Sequence, residues 1–284
     1  MTLTERTCKS ILSRTSGYLK TVCSHSLNPY VGCGFGLSSC GEACYVRFNP
    51  WLTQGREWGR FVDVKINAPE VYSRTVDRER NWTRIRREPF AIFFSSSTDP
   101  WQPVERKYRI SRQLLRAMRE NPPDELILQT HTSNILDDAG VIVELSHVCR
   151  VRVHISIEGD RERLPGLPAP PCLLEERIQA LRRFADAGVM TVACLSPLYP
   201  LMDPHAFFSR LAKTGIAGVV VDHFIRGDGT EDGSRTRKTR LPDSMAEVNT
   251  ESLHLAYRDE VVRIARNHLP VGVSRSGFAG NFSR

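Results

Sequence analysis

The chain has 284 residues, 40% hydrophobic and 25% charged, with a formal net charge of +7, enough for one large α/β domain or two small ones. No apolar run approaches the ~18 residues of a membrane-spanning helix, and the opening "MTLTERTCKSILSRTSGYLK" is polar and basic without an apolar centre, which excludes a secretory signal. A cytoplasmic, reducing setting is therefore expected, where clustered cysteines point to metal or catalysis rather than disulfides; the modest basic excess permits anionic partners without requiring them.

Residues 1–25 read as an N-terminal extension. A strand near "SHSLNPY" then leads into "GCGFGLSSCGEACYVRFNP", where three of the eight cysteines, Cys33, Cys40 and Cys44, fall within twelve positions. Gly34, Gly36 and Gly41 lie between them and read as the source of the loop's conformational freedom. Three thiolates hold zinc only with a fourth ligand, and Cys23 and His25 are nearby in sequence. A four-iron cluster held by three cysteines instead keeps one iron open for a substrate or cofactor. The sequence leaves both uses open at this point. The other five cysteines (Cys8, Cys23, Cys149, Cys172 and Cys194) are scattered and read as small buried apolar side chains.

Further on, "RERNWTRIRR" (78–87) sets five arginines around Trp82, a pattern that serves phosphate contacts with base stacking, or equally a solvated helix face. From here strands and helices alternate. "AIFFSSS" (91–97) reads as a buried strand, and 111–121 as a helix burying Leu114, Leu115 and Met118, with Ser111 as its cap. A strand at 124–132, a helix at 137–148 and a strand at 150–158 follow. The helix 174–187 stops at Gly188. Strand 189–198, helix 204–215 and strand 216–224 complete the series. Such units imply a parallel sheet with right-handed crossovers. With the lead-in strand the count is six, which fits an open, partial β/α barrel over residues 26–225. Beyond it, "RGDGTEDGSRTRKTRLPDS" (226–244) reads as a solvated basic loop or, since it follows the last strand, a basic flap over the site. A long amphipathic helix is expected at 249–269, then a short strand and a frayed end.

The chain resembles the spore photoproduct lyase-like branch of the radical S-adenosylmethionine (SAM) enzymes between about Ser26 and Asp203. The resemblance is carried by Asn28-Pro29-Tyr30-Val31-Gly32-Cys33, by Lys65-Ile66-Asn67-Ala68-Pro69-Glu70, and by "TDPWQPVE" from Thr98 to Glu105. Ser156-Ile157 with Asp160, the Pro165–Pro171 turn, Glu176 to Gly188, and Pro197–Asp203 extend it in the same order. Two departures stand out. That branch spaces its cluster cysteines C-x3-C-x2-C with an aromatic before the third, whereas here the spacing is C-x6-C-x3-C, with Tyr45 after it. A lysine usual at the end of the third strand is replaced by His131, which meets a carboxylate only when protonated.

The resemblance implies a six-stranded partial barrel and a [4Fe–4S] cluster on Cys33, Cys40 and Cys44. It also implies SAM as cofactor, cleaved by one electron to methionine and a 5′-deoxyadenosyl radical, with an external donor such as flavodoxin or ferredoxin. Tyr45, the strand end Ser95, Ser96, Ser97, Thr98 and Asp99, together with His131 and Ser156, are the implied SAM contacts, and Arg177 the partner of its carboxylate. Cys194 and Tyr199 are candidate hydrogen donors to a substrate radical. Lyase-type chemistry on nucleic acid follows by analogy. The alternative is a non-catalytic nucleic-acid-binding protein with a structural zinc site on the cysteine loop.

Overall fold

In a computed structural model describing all 284 residues, the apolar runs of the sequence become neighbouring strands. In chain order they are β1 (Thr2–Arg6), β2 (Leu12–Arg14), β3 (His25–Leu27), β4 (Tyr30–Val31), β5 (Phe61–Lys65), β6 (Ala91–Phe94), β7 (Glu125–Thr130), β8 (Arg150–Ser156), β9 (Met190–Leu195), β10 (Gly218–Val221) and β11 (Val271–Val273). The main sheet has the order β11-β10-β9-β8-β7-β6-β3-β2. Only the β2–β3 pair is antiparallel; β3, β6, β7, β8, β9, β10 and β11 run parallel. The two edges do not meet, so the sheet is an open, partial β/α barrel. The six expected strands are present in the expected order, and the tail adds β11. A smaller sheet, β1-β5-β4, stands beside it.

Alternation along each strand sorts the side chains. Ile92, Phe94, Leu126, Leu128, Val153, Ile155, Ala193 and Leu195 point outward into the principal core beneath the helices. Phe93, Ile127, Val192, Cys194 and Val220 point inward and form a second apolar cluster. The covering helices are Ala68–Arg86, Ile110–Glu120, Ala139–Ser146, Leu174–Asp186, Pro204–Ala212 and Leu255–Ala265. The Ile110–Glu120 helix buries Leu114, Leu115 and Met118 as expected, but Arg109, at φ +55°, occupies its N-cap. Ser111 serves elsewhere: its N–H donates to Glu105 (3.0 Å) and its hydroxyl to the Pro100 carbonyl (2.6 Å). Gly188, at φ +77°, ends the Leu174–Asp186 helix, the left-handed stop that glycine adopts without steric cost.

Three expectations for the C-terminal part need correction. Residues 226–244 fold around Asp228, which is 1% exposed. It accepts from the Thr230 N–H (3.0 Å) and hydroxyl (2.5 Å) and from the Thr236 N–H (2.7 Å). The 249–269 helix is shorter than its pattern: His254 is extended and separates a 3-10 turn, Thr250–Leu253, from Leu255–Ala265. The tail is not frayed. Its helix Ser274–Phe278 places Phe278 inside the barrel, 6.4 Å from the ring of Tyr18 on the N-terminal turn Gly17–Thr21. Tyr18 and Ser274 both donate to Asp222, at 3.1 and 2.5 Å, so the two ends of the chain meet across the open seam. No helix is long and apolar enough to cross a membrane.

Candidate active site at the barrel mouth

The C-terminal ends of parallel strands form one mouth, and the inward side chains change there from apolar to polar. Ser95, Gln129, His131, Ser156, Glu158, Ser196 and Asp222 occupy these positions, at or just past the ends of the strands that bury Phe93, Ile127, Val192 and Val220. Gln129 Nε2 donates to Ser156 Oγ (2.8 Å), and His131 Nε2 lies 3.5 Å from the same hydroxyl.

The motifs singled out in the sequence turn out to be brackets. Asn28 holds the serine loop: its Oδ1 accepts from the Ser97 N–H (3.0 Å), the Ser97 hydroxyl (2.9 Å) and the Ser95 hydroxyl (3.2 Å), and its Nδ2 donates to Ser96 Oγ (3.2 Å). Lys65 fixes Asn28 in turn through its carbonyl (2.7 Å). Ser95 sits at φ +140°, a conformation rarely adopted outside glycine, and its hydroxyl is 3.3 Å from that of Thr98. Asp99 is saturated by its neighbours. It accepts from the Trp101 N–H (2.8 Å), the Thr130 hydroxyl (3.0 Å) and the His131 N–H (2.7 Å), tying the end of β6 to that of β7. Gln102, fully buried, clasps the cysteine loop by accepting from the Gly34 N–H (2.6 Å) and donating to the Gly32 carbonyl (3.4 Å). Glu105 accepts from the Tyr30 hydroxyl and from the Ser111 N–H.

The cysteine loop lies over this mouth. Cys33 is buried, Cys40 and Cys44 half-buried, and all three are free thiols. Burial pushes Cys33 up to about 12, with Asp99 adding to the shift. Burial likewise raises Cys44 to about 11. Cys40 is raised by burial first, then by Cys44, Cys33 and Glu158. The three sulfurs are thus close enough to feel one another, yet nowhere do three His, Cys, Asp or Glu side chains converge tightly enough to hold a single metal ion. The glycines act differently from the expectation of a loosened loop. A Cβ on Gly36 would lie 2.2 Å from the Gly59 Cα, and one on Gly41 2.3 Å from the Gly36 Cα. Backbone packs against backbone, and a side chain at either position has no room.

The nearby candidates for a fourth zinc ligand are committed elsewhere. His25 faces outward, 3.0 Å from Ser24 Oγ and 3.2 Å from Glu79. Cys23 belongs to the apolar cluster inside the barrel. Cys23 precedes β3 and lies near Arg152 at the start of β8, and His25 opens β3, so both sit at the end of the barrel opposite the mouth.

Glu158, which drew no attention in the sequence, organises the far side of the mouth. Arg177 donates to its Oε2 (2.7 Å), and His131 Nδ1 is 3.0 Å from its Oε1. Burial opposes ionisation of Glu158, but Arg177 and His131 overcome it and hold the carboxyl well below the usual carboxylate range. Arg177 itself is 3% exposed and also donates to the Ser156 carbonyl (2.7 Å). Its guanidinium is thus engaged beneath the mouth rather than presented to it, and Glu158 and Ser156 hold it there. Cys194 is fully enclosed in the interior apolar cluster, and burial raises its thiol pKa. Tyr199 packs with Ala43, Leu164 and Phe224 below the cysteine loop. Tyr45 is half-buried near Cys44 and Asp222; burial and these neighbours raise its phenol.

The arginines of 78–87 lie at the other end of the molecule. They occupy the Ala68–Arg86 helix, whose C-terminus runs straight into the start of β6 and so reaches the end of the barrel opposite the mouth. Several are engaged locally: Arg78 with Glu79, Arg80 with Asp77, Arg84 with Asn81, and Arg86 over the Trp82 ring at 3.9 Å.

No protein-family model matches the chain. An uncharacterized protein of Methanocaldococcus jannaschii, MJ0683, is 23% identical over 240 residues, covering 83% of each chain. Among solved structures, a mutant of spore photoproduct lyase with bound AdoMet and dinucleoside spore photoproduct is similar at a TM-score of 0.62 and 14% identity, over 96% of this chain and 81% of that one. A second mutant of the same enzyme gives a TM-score of 0.63 at 14% identity, with the same coverage. The chain therefore has the fold of spore photoproduct lyase.

Proposed function

We propose that the protein is a radical SAM enzyme of the spore photoproduct lyase-like kind. The observation that carries this reading is the placement of Cys33, Cys40 and Cys44 on one clasped loop over the polar mouth of an open parallel barrel. Three thiols on one loop match a four-iron cluster with one iron left open, whereas zinc needs a fourth ligand that neither Cys23 nor His25 supplies. When bound, the cluster supplies the electron that cleaves SAM reductively, delivered from outside by a flavodoxin or ferredoxin.

The chain's own residues bind, orient and seal. Cys33, Cys40 and Cys44 are the cluster ligands; their raised pKa values mean that the metal-free protein holds protonated thiols and that loading releases protons. Ser95, Ser96 and Ser97, pinned by Asn28, present hydroxyls and strained backbone to the cofactor's amino-acid end. His131 and Ser156 face the same space, and Tyr45 borders it. Glu158 and Arg177 act as positioning residues, holding the His131 ring and the end of β8. Beneath them Phe93, Ile127, Val192 and Phe278 exclude water from below, as radical chemistry requires.

Anaerobic reconstitution followed by iron and sulfide determination and an assay for SAM-dependent 5′-deoxyadenosine release tests the proposal. Each of Cys33→Ala, Cys40→Ala and Cys44→Ala should abolish the brown chromophore and the product together. Full iron and sulfide in all three variants would refute it.

A further inference from the structure

Beside the cysteine loop, on the rim of the mouth, lies an open cleft of roughly 740 Å³. Three elements build its walls. The helical turn Ser39–Glu42 contributes Glu42, the segment after β8 contributes Arg161, Arg163 and the Leu164–Pro168 turn, and the folded 226–244 segment contributes Arg240. The size suits a ligand of mononucleotide dimensions.

Three of its nine lining residues are arginines, against one acid. The side chains of Arg161, Arg163 and Arg240 make no ion pair or hydrogen bond; those of Arg74, Arg87, Arg116 and Arg183 are also unpaired, but these three line one cleft. The one acid of the cleft, Glu42, is already paired with Arg47 at 3.2 Å. Arg161 adds an independent sign: its Nε is buried and has no hydrogen-bond partner. A buried guanidinium N–H without an acceptor carries a desolvation cost that an arriving oxyanion removes. Three unpaired arginines lining one cleft from two segments match the several oxygens of a phosphate, which accepts paired N–H donors from each fork.

We propose that this cleft is a phosphate subsite, which receives a phosphate group of the substrate while the reacting part of that substrate lies at the barrel mouth. Its role as a substrate subsite rests on the functional reading above; its affinity for phosphate does not. The placement also relocates the basic surface that matters. The arginines of the Ala68–Arg86 helix face the opposite end of the barrel, whereas Arg161, Arg163 and Arg240 adjoin the cysteine loop through Glu42.

The test is calorimetric titration of the reconstituted protein with inorganic phosphate, and then with pyrophosphate, at constant ionic strength set with chloride. Saturable binding is expected in the unaltered protein. Combined Arg163→Gln and Arg240→Gln, both at exposed positions that leave the core untouched, should weaken it about tenfold or more. Arg163→Lys with Arg240→Lys should fall between, because lysine keeps charge but lacks the fork. Arg84→Gln with Arg87→Gln, at the opposite end, should leave phosphate affinity unchanged. Absence of saturable binding, or equal losses in the two arginine-to-glutamine pairs, would overturn the proposal. Competition then identifies the source: displacement by a nucleoside monophosphate alone places the phosphate on a small molecule, and displacement by a single-stranded oligonucleotide as well places it in a chain. Protein that releases 5′-deoxyadenosine but binds no phosphate would sink this inference alone. Protein that binds phosphate but cleaves no SAM would sink the functional reading and leave the anion site standing.

Discussion

The mouth and the floor of the barrel are built from the same strands, one or two residues apart, yet they obey opposite rules. At the mouth nearly every inward side chain is polar and held by a named partner: Ser95 by Asn28, Ser156 by Gln129, Glu158 by Arg177. At the floor the inward side chains are apolar except for Arg152 and His154, and His154 is left without a partner. His154, on β8, is fully buried, and neither ring nitrogen makes a hydrogen bond. Burial, with Arg152 nearby, lowers its pKa to about 3. The mouth is pre-organised by hydrogen bonds; the floor is sealed by packing. Fixed dipoles near reacting atoms and a dry barrier beneath them are different requirements, and a strand with a two-residue period can meet both along its length.

The sharpest break in this comparison is Glu158→Ala, which strands Arg177 as an uncompensated buried charge. A loss of about 3–5 kcal/mol in urea unfolding is expected, with 5′-deoxyadenosine release falling further than the stability loss explains. The same carboxyl gives the mouth its acid sensitivity. Because its folded pKa is depressed, its contribution is complete above the ordinary carboxylate range and is lost as pH falls below about 4. Phe278→Ala attacks the floor instead. About 3 kcal/mol should be lost, with increased amide exchange in β9 and β10 but retention of the cluster; loss of the cluster in a folded Phe278→Ala protein would erase the distinction between the two regions.

His154→Leu sharpens the comparison from the other side. Since the folded pKa lies below the ordinary histidine value of about 6.5, the unfolded chain binds the extra proton first, and stability falls as pH drops from about 6.5 towards 3. Removing the imidazole should cancel that slope. Relative to its value at neutral pH, the variant should gain about 2 kcal/mol over the parent at pH 5. Parallel stability profiles in the two proteins would show that His154 is not a buried neutral group. The smallest effect expected is Tyr18→Phe, at about 1 kcal/mol from one hydrogen bond to Asp222.

Much of this organisation was legible in the sequence, and the omissions have physical causes. The parallel strands were readable because a short apolar run between glycine and polar breaks is what double burial demands. The cysteine loop was readable from three thiols at close spacing. Glu158 was not, since an acid closing the expected strand 150–158 looks like any strand end turning to solvent until Arg177 returns to it from the next helix. Arg177 could be placed near the site but not assigned to Glu158 for the same reason. Gly36 and Gly41 were noticed, yet a sequence does not distinguish a glycine that bends from one that lets two backbones touch. Residues 226–244 looked solvated because they turn around a carboxylate, Asp228, and hold a single apolar side chain, Leu241, near their end. The tail looked frayed because its buried groups, Phe278 among them, are spaced by glycine and serine with no period.

The bond between Tyr18 and Asp222 joins residues 204 positions apart. Closing so long a chain segment costs entropy that no local contact returns, so in folding this latch is expected to form after the sheet has propagated, not before. Until then a compact intermediate would have its strands paired but its seam open, with Phe93, Ile127 and Val220 in contact with water. Such a species is the one most exposed to sticking to its own kind.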